Sequence, residues 1–65
     1  MTAPDVALLT IPETAERLRV SENTVYRRIA SGELRAVDLG NGRAWTRVRT
    51  DDLARYIDKR TRSAA

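Results

Sequence analysis

Polar groups that can bind nucleic acid recur at helical spacing in residues 22–30. Asn23, Thr24 and Arg27 supply an amide, a hydroxyl and a guanidinium. About 100° of rotation per residue along a helix places these three groups on the side opposite Val25. Groups of these types hydrogen-bond to base edges and phosphate oxygens. The pattern therefore predicts a recognition helix whose polar face contacts nucleic acid.

Three further polar residues belong to this predicted helix. Ser21 stands at its N-terminal end, which is the end that approaches a groove first, and Arg28 flanks the polar face. Glu22 has two interpretations that the sequence leaves open. Its carboxylate can accept a hydrogen bond from cytosine N4, or it can complement the positive end of the helix dipole without touching DNA.

A second basic group surrounds a predicted turn at residues 40–42. Arg43, Arg47 and Arg49 could follow the phosphate backbone or enter the adjacent minor groove, where arginine reads groove shape. The alternative is a charged edge strand that resists aggregation. Trp45 is expected to pack against the domain or a neighbouring protomer rather than on a base, and the alternation of the strand leaves its face undecided.

Two short helices with local start signals precede this hairpin. Thr10 and Glu13 form a capping box in front of a helix predicted over residues 11–18. Ser21 caps the second helix, predicted over residues 22–30. Helices separated by so few residues cross at a steep angle, which is the helix-turn-helix geometry.

The pattern then changes from helical to alternating. Gly32 is a natural left-handed residue for ending the second helix. Strands are predicted over residues 36–39 and 44–49, around the turn at residues 40–42. If Val48 faces inward, Ala44 and Thr46 share its face and the arginines of the return strand lie on the other.

A third helix is predicted over residues 51–60, with Thr50 as its N-cap. Apolar residues at helical spacing are expected to hold the three helices together. These are Ile11, Ala15, Leu18, Val25, Ile29, Leu53, Tyr56 and Ile57, and Val20 is expected to anchor the turn between the first two helices.

These elements predict a mainly α fold with a small β-hairpin. The order is that of a winged helix-turn-helix: helix, helix, two-stranded wing, helix. We assign the domain to residues 9–60, with an N-terminal extension at residues 1–8 and a frayed tail at residues 61–65.

The composition excludes several classes of function. The chain has 65 residues and contains neither Cys nor His, so it lacks the common transition-metal ligands, the usual base near neutral pH and a thiol nucleophile. A domain of this size rarely also encloses a substrate pocket. We therefore expect no enzymatic activity, metal, cofactor or small-molecule substrate.

The charges are segregated along the chain. The formal net charge is +3, but residues 17–49 hold eight Arg against three acidic residues, whereas the ionisable side chains of residues 1–16 are all acidic. A basic middle is typical of a phosphate-binding surface, although a charged face that serves solubility is an alternative.

No basic stretch followed by a long apolar run opens the sequence, and no window approaches the roughly 18 apolar residues of a membrane span. The sequence therefore predicts neither a signal peptide nor membrane association. We expect a cytoplasmic protein, associated with the nucleoid of a bacterial host.

The segment LTIPETAERLRVSENTVYRRI, residues 9–29, resembles the excisionase-type helix-turn-helix proteins, which are related to the N-terminal domains of MerR-like regulators. The resemblance continues through SGELRAV at residues 31–37 and VRTDDL at residues 48–53. It covers residues 8–58 in total. The V-S-x-x-T-V-Y-R core is specific for the fold and for DNA binding, and much less so for the biological role.

The resemblance implies roles for particular residues. Ser21, Asn23, Thr24 and Arg27 would contact DNA from the recognition helix, and Arg43 and Arg47 from the wing. Two departures stand out. The family often has an apolar residue where this chain has Arg28, and the arginine either adds a phosphate contact or exposes the helix edge. The return strand is also about one residue longer around Trp45 than in the family.

The resemblance also implies a biological role. An excisionase, or recombination directionality factor, of a phage or mobile element binds cooperatively near attachment sites, bends DNA and directs an integrase toward excision. The sequence shows no additional effector or dimerisation domain, which fits cooperative self-association on DNA. A small transcriptional regulator is the alternative, followed by an adaptor that binds only protein through the wing or the Tyr26/Trp45 surface.

Overall fold

The computed structural model describes residues 6–40 and 42–61, which form three helices and one antiparallel sheet. The helices are α1 (Ile11–Leu18), α2 (Glu22–Ala30) and α3 (Thr50–Arg60). The strands are β1 (Leu8–Thr10), β2 (Val37–Asp38) and β3 (Thr46–Arg49), in the order β1-β3-β2. The mainly helical winged helix-turn-helix fold predicted from the sequence is confirmed. Residues 1–5, 41 and 62–65, which belong to the predicted extension, turn and tail, lie outside the described residues.

The start of α1 has the predicted capping box. The Glu13 amide donates to the Thr10 hydroxyl at 3.2 Å, and the Thr10 amide donates to the Glu13 carboxylate at 2.8 Å. The helix ends at Arg19, whose φ of 56° lies in the left-handed region that non-glycine residues seldom adopt. The Val20 amide then donates to the Ala15 carbonyl at 3.0 Å. This left-handed residue reverses the chain between α1 and α2.

The expected role of Val20 as a side-chain anchor of the turn is wrong. Its side chain is 40% exposed, so the turn is anchored by its backbone amide rather than by its side chain. By contrast, Val25 on α2 is fully buried, and Ile29 packs against the core from a partly buried position. Helix α2 is therefore held to the core by these two residues together with the partly buried Tyr26.

The ends of α2 follow the predicted signals. The Thr24 amide donates to the Ser21 hydroxyl at 3.2 Å, which confirms Ser21 as the N-cap. At the other end, Gly32 has a φ of 83°. The Glu33 amide donates to the Arg28 carbonyl at 3.0 Å and the Gly32 amide to Ile29 at 3.1 Å, the bond pattern of a Schellman motif.

The sheet has a third strand that the sequence analysis did not predict. Leu8, assigned there to an N-terminal extension, lies in β1 and pairs with Arg49, while Leu9 pairs with Val48. The pairing makes β3 the central strand, with β1 on one edge and β2 on the other. Val48 is fully buried, so it is this face of β3 that packs on the core.

The hairpin differs from the prediction in the length of its strands. In place of strands over residues 36–39 and 44–49, the structure has the two-residue β2 and the four-residue β3. A 3₁₀ turn, Arg43–Trp45, precedes β3 and follows Gly42, whose φ is 91°. The Trp45 indole is 51% exposed and lies on the Gly40 backbone, where an added Cβ would meet Trp45 Cγ at 3.0 Å. Trp45 thus packs against its own wing.

The third helix starts one residue earlier than predicted. Thr50 is its first residue rather than its N-cap. The Thr50 amide donates to the Ala7 carbonyl at 3.0 Å, and the Ala7 amide donates to the Thr50 hydroxyl at 3.1 Å. Leu53 is buried, but Ile57 is 44% exposed, so the expected apolar stripe of α3 is narrower than predicted.

One core lies between the helices and the inner face of the sheet. Its side chains come from every helix and from β1 and β3, with Leu34 contributed by the loop after α2. The buried apolar residues are Leu9, Ile11, Ala15, Val25, Leu34, Val48 and Leu53. Thr14 is the one buried polar residue among those described, and its hydroxyl donates to the Thr10 carbonyl at 2.8 Å. The core thus fixes α2 against α1 and the sheet.

Candidate nucleic-acid interface

The polar face of α2 points away from the core. Asn23 and Arg27 are exposed one helical turn apart, on the side opposite the fully buried Val25. Thr24 is half-buried, and its hydroxyl lies 2.9 Å from that of the N-cap Ser21. Of the predicted recognition residues, Asn23 and Arg27 are therefore presented outward, whereas Thr24 and Ser21 engage each other at the helix start.

The wing adds one arginine to this face. A shallow groove of about 450 Å³ is lined by Asn23, Tyr26, Arg27, Ala30 and Arg43. Although Arg43 belongs to the hairpin, its guanidinium carbon lies 4.3 Å from the centroid of the Tyr26 ring on α2. Two guanidinium groups and one amide thus line a single concave surface.

Arg47 and Arg49, the other wing candidates, do not line that groove. Arg47 Nη1 donates to the Ala44 carbonyl at 2.7 Å and to the Thr46 carbonyl at 3.0 Å, so this nitrogen ties the side chain to its own strand. Arg49 Nη2 lies 3.1 Å from Asp51 Oδ2, at the end of β3 next to α3. Arg47 instead lines a second hollow, together with Glu22 and Arg43.

Glu22 is exposed in the first turn of α2 and faces this second hollow. The two arginines there bring positive charge to the same surface as its carboxylate. That charge reduces the repulsion that the carboxylate would exert on a phosphate. Its roles as a cytosine acceptor or as a partner of the helix dipole stay predictions.

Arg28 lies on another side of α2. It borders a hollow with Leu18, Val20, Thr24 and Tyr56, away from Asn23 and Arg27.

Arg28 pairs there with Glu33, Nη1 to Oε2, at 3.3 Å. The same glutamate accepts a hydrogen bond from the Ser31 hydroxyl at 2.8 Å and forms an ion pair with Arg60 of α3. The Ser31 hydroxyl first, and then Arg60 and Arg28, hold the pKa of Glu33 below its usual value. Arg28 thus belongs to a cluster that ties the end of α2 to α3.

A carboxylate also stabilises the start of α1. The backbone amide of Thr10 is the main cause that lowers the pKa of Glu13, followed by the Thr10 hydroxyl. The capping box therefore favours the ionised form of Glu13, which complements the positive end of the α1 dipole.

Tyr26 lines the candidate interface but was not among the DNA-contact residues predicted from the sequence. A helical wheel places it beside the polar face, and the sequence analysis gave it a role only in the protein-binding alternative. Its contact with Arg43 joins residues far apart in sequence across a hairpin. No periodicity within α2 reports such a contact.

The described residues were also compared with two other kinds of feature, a metal-binding cluster and a membrane-spanning helix. Within residues 6–40 and 42–61, no group of three or more His, Cys, Asp or Glu side chains is placed to hold a metal ion. In the same residues, no helix combines the length and apolar character needed to cross a membrane.

Comparison with known proteins identifies one family. A family model described as a helix-turn-helix domain matches residues 8–61, which include all six helices and strands. No curated protein and no solved structure matches the chain. The matched residues thus span β1 and α3 as well as the two helices of the motif.

Proposed function

Because the chain belongs to the helix-turn-helix domain family, we propose that it binds duplex DNA sequence-specifically by placing α2 in the major groove. One observation carries the proposal. Asn23, Arg27 and Arg43 line a single exposed groove on the second helix of the motif, and they bring two positive charges without a neutralising carboxylate among the groove's lining residues. This surface combines attraction for phosphate with groups that distinguish bases.

The two α2 side chains have complementary chemistry. The Asn23 amide can donate to and accept from adenine at N7 and N6, and the Arg27 guanidinium can donate twice to guanine at O6 and N7. Ser21 and the first turn of α2 add backbone amides and the positive end of the helix dipole, which favour a phosphate oxygen. In this proposal α2 reads bases along its exposed face and binds backbone at its start.

Salt dependence tests DNA binding. A duplex that the chain enriches from a random-sequence library would be labelled and titrated at several salt concentrations. We expect the association constant to fall steeply with salt, by a logarithmic slope of about −0.9 for each phosphate contacted. An affinity that does not change with salt would contradict phosphate binding and favour a module that binds only protein.

A pair of charge-matched variants tests the location of the interface. Arg27→Ala should weaken binding by about 1–3 kcal/mol and reduce discrimination among bases. Arg55→Ala removes the same charge from an exposed position on α3, where Arg55 lies 3.6 Å from Asp52. It should change affinity much less, and equal losses in the two variants would contradict a specific role for α2.

The biological role that we propose is that of an excisionase, an architectural protein that acts without catalysis. One short helix and one wing arginine give each copy few contacts with DNA, so tight binding requires adjacent copies or a partner such as an integrase. Cooperative binding near attachment sites would bend DNA and favour excision.

The test is an integrase-mediated recombination assay with and without the protein. The integrase would be one encoded beside this chain, acting on its own attachment sites. Stimulated excision supports the excisionase role. No effect on recombination, together with altered transcription from a bound promoter, would instead assign the chain to the small regulators.

A further inference from the structure

Tyr26 connects the recognition helix to the wing. Its ring packs against the core, which fixes it from one side, and the Arg43 guanidinium carbon lies 4.3 Å from the ring centroid. We infer that Tyr26 is a positioning residue that holds Arg43 in the groove beside Asn23 and Arg27, so that the wing arginine contacts the same stretch of DNA as α2. The inference rests on the proposed binding of DNA.

The backbone of the wing directs Arg43 toward α2. Gly42, with a φ of 91°, leads into the 3₁₀ turn, and the Trp45 amide donates to the Gly42 carbonyl at 3.2 Å. Arg47 Nη1 then binds the carbonyls at the end of this turn, those of Ala44 and Thr46. Arg43 is therefore held at its backbone by the turn and at its guanidinium by Tyr26.

Stacking leaves the hydrogen-bonding edge of Arg43 available. A guanidinium over an aromatic ring uses its face, while its five N–H donors point outward in the plane. The same contact restricts the side chain before DNA arrives, which lowers the entropy lost on binding. Tyr26 thus raises affinity without itself having to touch DNA.

This arrangement differs from a wing that contacts DNA separately. An arginine projecting from the hairpin would reach phosphates or a minor groove away from α2, and its energetic effect would be independent of Tyr26. An arginine stacked on Tyr26 lines one groove with Asn23 and Arg27. The two arrangements predict different coupling between the wing and the helix.

A double-mutant cycle measures that coupling. The affinities of the wild type, Tyr26→Leu, Arg43→Ala and the double variant would be measured for the labelled duplex that the wild type selects. We expect Tyr26→Leu to weaken binding about 2- to 5-fold, the range for an exposed cation–π contact. In the Arg43→Ala background, Tyr26→Leu should then change the affinity less than two-fold, because the guanidinium that Tyr26 supports is gone.

Tyr26→Phe is the matched control, because it keeps the ring and removes only the hydroxyl. It should bind like the wild type, and a loss as large as that of Tyr26→Leu would show that the hydroxyl contacts DNA and overturn the inference. Losses that multiply in the double variant would also overturn it.

Two further measurements keep the test decisive. If Tyr26→Leu does not fold, Arg43→Lys takes its place in the test. If Arg43 acts through a planar guanidinium held on Tyr26, Arg43→Lys should lose most of the affinity that Arg43→Ala loses. If Arg43 acts only as a freely projecting charge, Arg43→Lys should keep the wild-type affinity. Wild-type protein without salt-dependent DNA binding would contradict the proposed function itself. That outcome is distinct from binding in which Tyr26 and Arg43 act independently.

Discussion

Truncation of Leu34 should remove a large part of the stability of the fold. Leu34 lies in the loop after α2 and is 1% exposed, in a core of few side chains. Leu→Ala at a buried site costs about 2–5 kcal/mol. A domain of this size is stabilised by only about 3–5 kcal/mol from a single core. The substitution therefore removes between about half and all of the free energy of unfolding.

Leu39→Ala is the matched control, because it makes the same chemical change at a side chain that is 50% exposed. Substitution at an exposed site usually changes stability by less than about 0.5 kcal/mol. Thermal unfolding followed by circular dichroism compares the two. With about 4–8 °C for each kcal/mol in a small domain, Leu34→Ala should lower Tm by at least about 8 °C or leave the chain unfolded at 25 °C.

Equal shifts in the two leucine variants would refute this argument. Such a result would mean that Leu34 is not enclosed, and that the loop after α2 does not belong to the core. Urea unfolding gives an independent check, because a loss of packing lowers the midpoint without a large change in the slope m.

Three other predictions follow from local contacts. Hydrogen bonds from Thr10 and Ser31 hold the pKa values of Glu13 and Glu33 below their usual value of 4.5, so the stability that these carboxylates contribute is present above that pH and is lost as the pH falls through the folded values. In thermal melts at decreasing pH, the double variant Glu13→Gln/Glu33→Gln should lose less Tm on acidification than the wild type. Gly32→Ala should lower the free energy of unfolding by about 1 kcal/mol in urea titrations, because φ is 83° although no atom lies within 4 Å of the new Cβ. Arg28→Ala should weaken DNA binding less than Arg27→Ala in titrations, since Arg28 pairs with Glu33.

The helices could be predicted because their signals are local. A cap and its partner lie three residues apart at both Thr10 and Ser21, and the left-handed Gly32 closes α2 with bonds to residues three and five positions back. Apolar spacing within one helix also identified Val25 as buried. None of these features requires knowledge of a distant part of the chain.

The features that the sequence did not predict depend on contacts between residues far apart in the chain. Leu8 and Arg49 pair across most of the sequence, and a three-residue strand is too short to show alternation of its own. The contact of Arg43 with Tyr26 and the cluster around Glu33 likewise join residues that are far apart in the sequence. A helical wheel assigns such residues to a side of the helix, but it does not report which group from elsewhere fills that side.

The position of β1 has a practical consequence for shortened forms of the chain. A fragment beginning at residue 9, where the sequence places the start of the domain, would lack Leu8 and the Ala7–Thr50 bonds, and it would leave the Arg49 end of β3 without its partner. Open strand edges template pairing with other molecules. Fragments for expression should therefore start no later than Val6, and one cut at residue 9 should unfold at a lower temperature and associate more readily than one that keeps Ala7 and Leu8.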